Sequence, residues 1–383
     1  MTILNTPMAW PLAKNAAKGA RSESTKSSSQ SGNVEFTCVG SEEMNSAEWT
    51  TLFVSSNTQN HFYSETFVSA ALHAWANLKD VKFVVGRQQD QLIFLLPVQI
   101  VKQWRCTTVK VVNIPTSDQN EPLINCSNQR DVLSIFFDYL QNELCADRII
   151  AESLTASFAE SLCTRFPSKT TRKKNEHSGW LISIPENADN IFDIYSANFR
   201  QQMRRHDRKA LAAGLKFRVT RSQDLEDHQT LKANMDTLRR LHKLRRDALG
   251  KSTFFLDPSF VKMHDSIIEK SKAGSLDVLF LEVMDGTDVV GSLYGVIGNH
   301  KFTFLMCGFN PNYAAFSLGH CMILHTIQAL VQIGACEFDL KTGSESYKAR
   351  WGEQQYDKSD VTVTMTLKGQ FLRLVDLLGR LGR

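Results

Sequence analysis

Asp339, Lys341, Thr342, Ser344, Glu345, Ser346, Tyr347, Lys348 and Arg350 crowd into one short stretch of the chain. Carboxylates accept protons, phenols and ammonium groups donate them, and guanidinium groups neutralise anions, so this stretch holds the side chains that acid–base chemistry needs. Phe302 to Cys336, just before it, contains no Asp, Glu, Lys or Arg. An apolar run that breaks into clustered acids, bases and hydroxyls is how a buried scaffold presents a site. Within the run, the turn Asn310-Pro311-Asn312 leads to Ser317-Leu318-Gly319-His320, which opens a helix. The first amides of a helix have no intrahelical acceptor, and the helix dipole favours an anion there. Gly319 removes a side chain where a phosphate needs close approach. The same spacing also fits a plain N-cap at Ser317.

A second feature also suggests an anion. From Arg165 to Lys251 there are 20 Lys/Arg and 10 Asp/Glu, a charge of +10; the whole chain is +4, so the remainder is −6. In a helix spanning about Asn187 to Ala213, Arg200, Arg204 and Arg208 share one face, with Arg205 and Lys209 beside them. Phe192, Tyr195, Phe199 and Met203 form the stripe that docks this helix, and Gly214 ends it. A basic middle in an acidic chain suggests a local anionic partner; the alternative is a solvated helix face.

The elements that must position these groups follow from hydrophobic period. A chain of 383 residues with 42% hydrophobic and 22% charged residues is expected to form two soluble globular domains. The first reads β-α-α-β-β-β-α-β from Val34 to Ala151, and the second repeats that order from Leu215 to Leu340, with a strand at Lys301–Phe309 and a helix at Leu318–Ile333. Equivalent elements lie about 190 residues apart, as expected for two copies of one domain. The expected division is a disordered tail at 1–33, domains at 34–185 and 186–366, and an amphipathic helix at 367–383. In that helix Phe371, Leu374, Val375, Leu378 and Leu381 oppose Arg373, Arg380 and Arg383, a pattern suited to a membrane surface, its own domain or a partner subunit. The eight cysteines include no C-x-x-C pair and read as buried thiols of a reducing compartment, with no metal site expected. The short apolar pieces near the N-terminus are not a convincing signal peptide. Asn310, Asn312, His320, His325, Gln328 and Gln332 make the charge-free run too polar for a membrane span. A cytoplasmic protein is expected. His325 reads as part of an exposed helix face with Gln328 and Gln332.

This element order, with a glycine loop between the fourth strand and the next helix, resembles the GCN5-related N-acetyltransferase (GNAT) superfamily. Several segments resemble its cellulose-biosynthesis acetyltransferase-like branch, which has tandem GNAT-like domains of α+β class with mixed, mostly antiparallel sheets. They are Phe199 to Arg205, Leu241 to Arg246, Gly308 to Tyr313, Phe316 to Gly319 and, most specifically, Phe338 to Trp351. The resemblance covers about Val34 to Leu367. It implies acetyl-CoA or another acyl-CoA as co-substrate, with the pantetheine arm along Cys307, Gly308 and Phe309 and the pyrophosphate on Ser317, Leu318, Gly319 and His320. The superfamily prefers Gln/Arg-x-x-Gly-x-Gly/Ala in this loop; here Phe316 stands first and Cys321 last.

An amine attacking a thioester needs a base, an oxyanion donor and an acid for the leaving thiolate. Glu345 is the expected base, Tyr347 the expected acid and Asp339 the residue that orients either. The backbone around Cys307–Phe309 is the expected oxyanion donor. Lys348, Arg350, Arg204 and Arg245 are expected to meet the substrate, an amine or amino sugar linked to polysaccharide assembly. The bland readings are that Glu345 only pairs with Lys348 or Arg350, that Tyr347 and Trp351 only pack, and that Asp339 caps a turn. The first copy lacks a glycine turn between Asn113 and Arg130 and is expected to serve as scaffold and part of the acceptor cleft. Two other functions fit: an aminoacyl-tRNA-dependent transferase of the related tandem fold, which alone would bring a nucleic-acid partner, and a non-catalytic module with a decayed donor loop.

Overall fold

The computed structural model describes residues 2–3, 34–56, 60–115, 117–187, 191–271 and 276–381. The expected disordered tail lies outside them, apart from β1 (Thr2–Ile3), which pairs with Val219 and Arg218 at a sheet edge. The first half continues with β2 (Val34–Val39), α1 (Ser46–Ser55), α2 (Glu65–Ala74), β3 (Val81–Gln88), β4 (Gln91–Gln103), β5 (Cys106–Val111) and β6 (Leu123–Ile124). Then come α3 (Gln129–Asn142), β7 (Arg148–Thr155), α4 (Ala156–Arg165) and β8 (Thr170–Lys174). The second half holds β9 (Gly179–Ser183), α5 (Ala197–Ala212), β10 (Lys216–Arg221), α6 (Gln229–Ala248), α7 (Pro258–Lys270), β11 (Asp277–Asp285), β12 (Asp288–Gly298) and β13 (Lys301–Phe309). It ends with α8 (Leu318–Ile333), β14 (Glu337–Thr342), α9 (Ser346–Trp351), β15 (Gln354–Tyr356), β16 (Lys358–Thr364) and α10 (Leu367–Leu381); β9 is grouped with it by its sheet, although it precedes the expected boundary.

Local chemistry explains many of the boundaries. Asn45, Ser64, Asn128, Thr155, Ser196 and Asp257 each accept a backbone N–H bond at the start of a helix. Gly334, at φ +76°, closes α8 in the left-handed conformation that suits glycine. β11 and β12 are buried on both faces, because helices cover both sides of their sheet.

Two mixed sheets result. One runs β2-β3-β4-β5-β7-β16-β8, with β6 on β4; the other runs β1-β10-β11-β12-β13-β14-β9-β15. This departs from the expected boundary at 185/186. β9 lies before it yet pairs with β14, and β16 lies after it yet pairs with β7 and β8. Each half lends a strand to the other's sheet. The repeat pattern ends at Ala151 and Leu340, so it carried no information about these added strands.

The first half's core is continuous with the α6 and α7 side of the second sheet, through Leu231, Met235, Met263, Ile267 and Tyr294. A second core fills the opposite face under α5 and α8. His325 belongs to that packed side rather than to an exposed face. Its ring stacks on Phe217, and its Nε2 lies 2.8 Å from Asp207 Oδ1, because the docked α5 covers this face of α8.

Candidate functional site

β13 and β14 run parallel only at Lys301–Glu337, Phe302–Phe338 and Thr303–Asp339. Beyond Thr303 they separate, and the edge of β13 that faced β14 has no strand neighbour among the described residues. A bulge accompanies the split: Phe304 pairs with Gly295 and Met306 with Tyr294, so Leu305 is the extra residue. The notch leads to Asn310, a 3-10 turn from Pro311 to Phe316, and α8.

β5 and β7 diverge in the same way in the first half, but their notch is filled. β6 pairs back onto β4, Asn120 bridges to Leu154, and the Asn120 amide donates to Ser153 O at 2.9 Å. The filling loop also carries Asp118 to the second half, where its Oδ2 accepts the Thr342 amide at 2.8 Å. Asp118 lies 4.0 Å from Lys341 Nζ and 3.8 Å from Lys358 Nζ. Lys341 has φ +64°, a left-handed backbone rare for residues other than glycine, and its ammonium lies over the Phe62 ring.

At the second notch, Cys307 faces Arg245, whose Nη1 is 3.2 Å from the sulfur and whose guanidinium lies 4.5 Å from the Phe309 ring centre. Burial pushes the Cys307 thiol pKa up, and Arg245 opposes that shift. Gly308 is required here, because a Cβ would come within 2.2 Å of the His242 backbone nitrogen where α6 crosses the strand. Tyr347 adjoins Cys307, Glu345 and Arg245; burial, then the first two of these, raise its pKa, so the phenol stays protonated. Glu345 is the residue before α9, and its carboxylate is 3.4 Å from Lys348 Nζ, with side-chain exposures of 55% and 7%. Lys348 also donates to Thr342 O at 2.7 Å, and burial lowers its pKa.

At the helix start, Ser317 has φ 55° and ψ 44°, and its hydroxyl does not cap α8. The plain N-cap reading therefore does not hold. His320 and Cys321 donate back to Ser317 O. A Cβ on Gly319 would meet nothing within 4 Å, so the approach to the Leu318 and Gly319 amides is open, while the Ser317 amide donates to Ala314 O. Cations gather beside them. Lys209 donates to Ala315 O at 2.9 Å, and Arg350 donates to Gln202 Oε1 at 2.6 Å. His320 Nδ1 accepts the Trp351 indole N–H at 2.8 Å; burial, Arg350 and His206 push its pKa down to about 4, so it is neutral.

The structure thus brings Cys307, Gly308, Phe309, Tyr347, Glu345, Lys348 and Arg245 together at one notch, with Ser317, Leu318, Gly319 and His320 beyond it. Arg350 belongs to the helix-start side. Arg204 lies on the outer face of α5 over the Phe192 ring. Asp339 is 1% exposed; Lys301 Nζ lies 3.2 Å from it, and it accepts from Tyr356 Oη at 3.0 Å and the Lys341 amide at 2.8 Å. Asp339 therefore closes a turn, as its bland reading had it, and these partners do not include Glu345 or Tyr347. Trp351 is fully buried against Tyr195 and Phe199. Sequence reasoning missed Asp118 and Lys358, which no motif marks. Lys209 is among the basic residues that the sequence places on the docked helix, and it lies beside the start of α8. Among the described residues no cluster could hold a metal ion, and no helix is long and apolar enough to cross a membrane.

Residues 197–349 match the family described as "Acetyltransferase (GNAT) domain". None of the curated proteins matches the chain. Among solved structures, the chain is similar to FemX at a TM-score of 0.61 and 11% identity, covering 89% of this chain and 99% of that one. A conserved protein of unknown function from Bacteroides thetaiotaomicron gives 0.55 and 11%, covering 86% and 100%. L-PGS from Bacillus licheniformis gives 0.51 and 12%, covering 89% and 98%. The fold is α+β, with two mixed sheets flanked by helices as in the tandem fold shared with these structures, and the segment that matches the acetyltransferase (GNAT) model lies in the second half.

Proposed function

We propose that the protein transfers an acyl group from acyl-CoA to an amine, with the second notch as donor site. The observation that supports this best is the unpaired edge of β13 beyond Thr303, which leads to the open helix start at Gly319. A pantetheine arm can add to such an edge as a strand does, and a pyrophosphate suits the α8 amides with Lys209 and Arg350 nearby. Arg350 is then a donor-side residue, while Lys348 and Arg245 remain near the reacting groups.

In this reading the amine nitrogen attacks the thioester carbonyl, and Glu345 takes the amine proton directly or through a water. An N–H on the open edge of β13 stabilises the oxyanion. As the C–S bond breaks, Tyr347 gives its proton to the leaving thiolate, and the products are an amide and free CoA. Tyr347 is suited to this because burial keeps the phenol protonated. Asp339 supports the segment by holding its turn. The acceptor class, an amino sugar or other small amine of polysaccharide assembly, rests on the motif string from Phe338 to Trp351 and its likeness to the cellulose-biosynthesis branch.

One observation favours a second reading, an aminoacyl-tRNA-dependent transfer. Arg200, Arg204 and Arg208 line a groove of about 720 Å³ on the outer face of α5. Melting the full chain with acetyl-CoA, a long-chain acyl-CoA and tRNA separates the readings, since a ligand of the native state raises its stability. The acyl-CoA reading expects a rise with a CoA thioester. A rise with tRNA alone, falling steeply with salt, supports the second reading. No rise with any acyl-CoA at millimolar concentration defeats the first.

A further inference from the structure

α10 packs on β5 and β16 with only part of its apolar surface. Gly369 presses on the chain before β7, where a Cβ would come within 2.3 Å of Asp147 O, and Leu372 is buried. On the opposite side of the helix, Leu367, Phe371 and Leu374 form one row and are 81%, 60% and 58% exposed. The row continues off the helix. Gln103 pairs with Cys106, so Trp104 and Arg105 are the two-residue turn between β4 and β5. Trp104 is 62% exposed, and its ring centre lies 6.5 Å from that of Phe371. Trp104 and Arg105 have φ +49° and +59°. Such turns favour Asn and Gly, and a bulky aromatic residue in this conformation is costly. Neither turn geometry nor internal packing accounts for this tryptophan, which points to a role outside the chain. Cations flank the same surface. Segments 101–105 and 367–383 hold six Lys/Arg and one Asp. Lys102, Arg105 and Lys368 are exposed, Arg105 and Lys368 line one hollow, and none of the three makes a salt bridge among the described residues. Asp147, within electrostatic range of Lys368, is already engaged: it accepts the Thr107 amide at 2.8 Å and the Thr366 hydroxyl at 2.5 Å.

We propose that this surface docks the protein on an anionic lipid bilayer. The apolar row and the indole enter the interfacial layer, where tryptophan is favoured, and the cations meet the headgroup phosphates. A second copy of the chain suits the surface less well, because a two-fold contact would set the same cations against one another. The surface is separate from the acyl-transfer notch, and its test does not depend on that reaction.

The test is flotation of the full chain with vesicles of phosphatidylcholine, alone or with about 30% phosphatidylglycerol, at low and high salt. The chain floats with the anionic vesicles and at least about tenfold more weakly with the neutral ones, and salt weakens the anionic binding. Trp104→Asn suits the left-handed turn, so it leaves the melting temperature unchanged or higher; combined with Phe371→Gln it lowers lipid affinity by about tenfold. Lys102→Gln with Arg105→Gln and Lys368→Gln brings binding to the anionic vesicles down to the neutral level. Phe254→Ser with Leu256→Ser removes a different pair of exposed apolar side chains and leaves binding unchanged. No flotation with the anionic vesicles overturns the proposal, as does flotation that the α10 and turn variants leave unchanged or that Phe254→Ser with Leu256→Ser weakens as much. Dimerisation without lipid that Trp104→Asn abolishes assigns the surface to a second copy and overturns it too.

Discussion

Glu345 and Tyr347 divide along burial. Glu345 sits at the mouth with its carboxylate half exposed, where an incoming amine can reach it, and Tyr347 lies inside against Cys307. Glu345→Gln is therefore expected to lower kcat by about 100-fold with little change in KM for acyl-CoA, read by steady-state kinetics. Unchanged turnover would remove Glu345 as base. A second residue-scale prediction concerns pH. His61, buried between Gly298 O and Thr303 Oγ1, has its pKa lowered to about 4, chiefly by burial, and burial likewise lowers His242 to about 4 and His264 to about 3. In each case the unfolded chain binds the proton more readily than the folded one. Stability is thus full above the unfolded value near 6.5 and falls as pH drops from there toward 4, by about 1.4 kcal/mol per pH unit for each such histidine. Urea unfolding of His61→Gln between pH 7 and 4.5 should show a shallower loss than the parent; an equal slope would contradict the assignment. Residues close in sequence, such as Glu345, Tyr347 and Lys348, were legible as a group. Asp118 was not, since its bond to Thr342 spans 224 positions and exists only once the domains meet.

The decisive elements are β13 and α8. Their expected spans, Lys301–Phe309 and Leu318–Ile333, are those observed, because a continuous apolar strand and helix leave little room for another register. Ser317 between them adopts a left-handed backbone and does not cap the helix. Ser317→Gly should stabilise the fold by about 1 kcal/mol in denaturant unfolding, by relieving that conformation; a loss of stability would mean that the hydroxyl has a structural partner. Gly308→Ala should cost about 1–3 kcal/mol, because its Cβ would press on the α6 backbone rather than on a flexible side chain. Two of the elements missed were short or polar. β8 reads Thr-Thr-Arg-Lys-Lys with little buried surface, and β15 has three residues. Neither carries an apolar alternation from which a strand could be read.

For the whole molecule, the exchanged strands β9 and β16 and the shared core make the two domains depend on one another. A single calorimetric unfolding transition is expected, and two separated peaks would contradict the exchange. The fragment 197–349 lacks β9 and β15, so it should not fold alone, although the family match covers those residues. Asp118→Ala should destabilise the full chain by about 3 kcal/mol, since it removes the acceptor of the Thr342 amide and the carboxylate facing Lys341 and Lys358. The doubled element order was legible because each copy repeats the same periodicities; the strand exchange was not, because it depends on which edges are left unpaired after both sheets form. The central claim is that the notch beyond Thr303 and the start of α8 hold an acyl-CoA. Titrating acetyl-CoA into the full chain and into Gly319→Asp tests it most directly. The account predicts binding by the parent and at least about tenfold weaker binding by the variant, whose carboxylate would stand in open space beside the pyrophosphate. Equal affinity in the two proteins, or no binding by the parent, would contradict it.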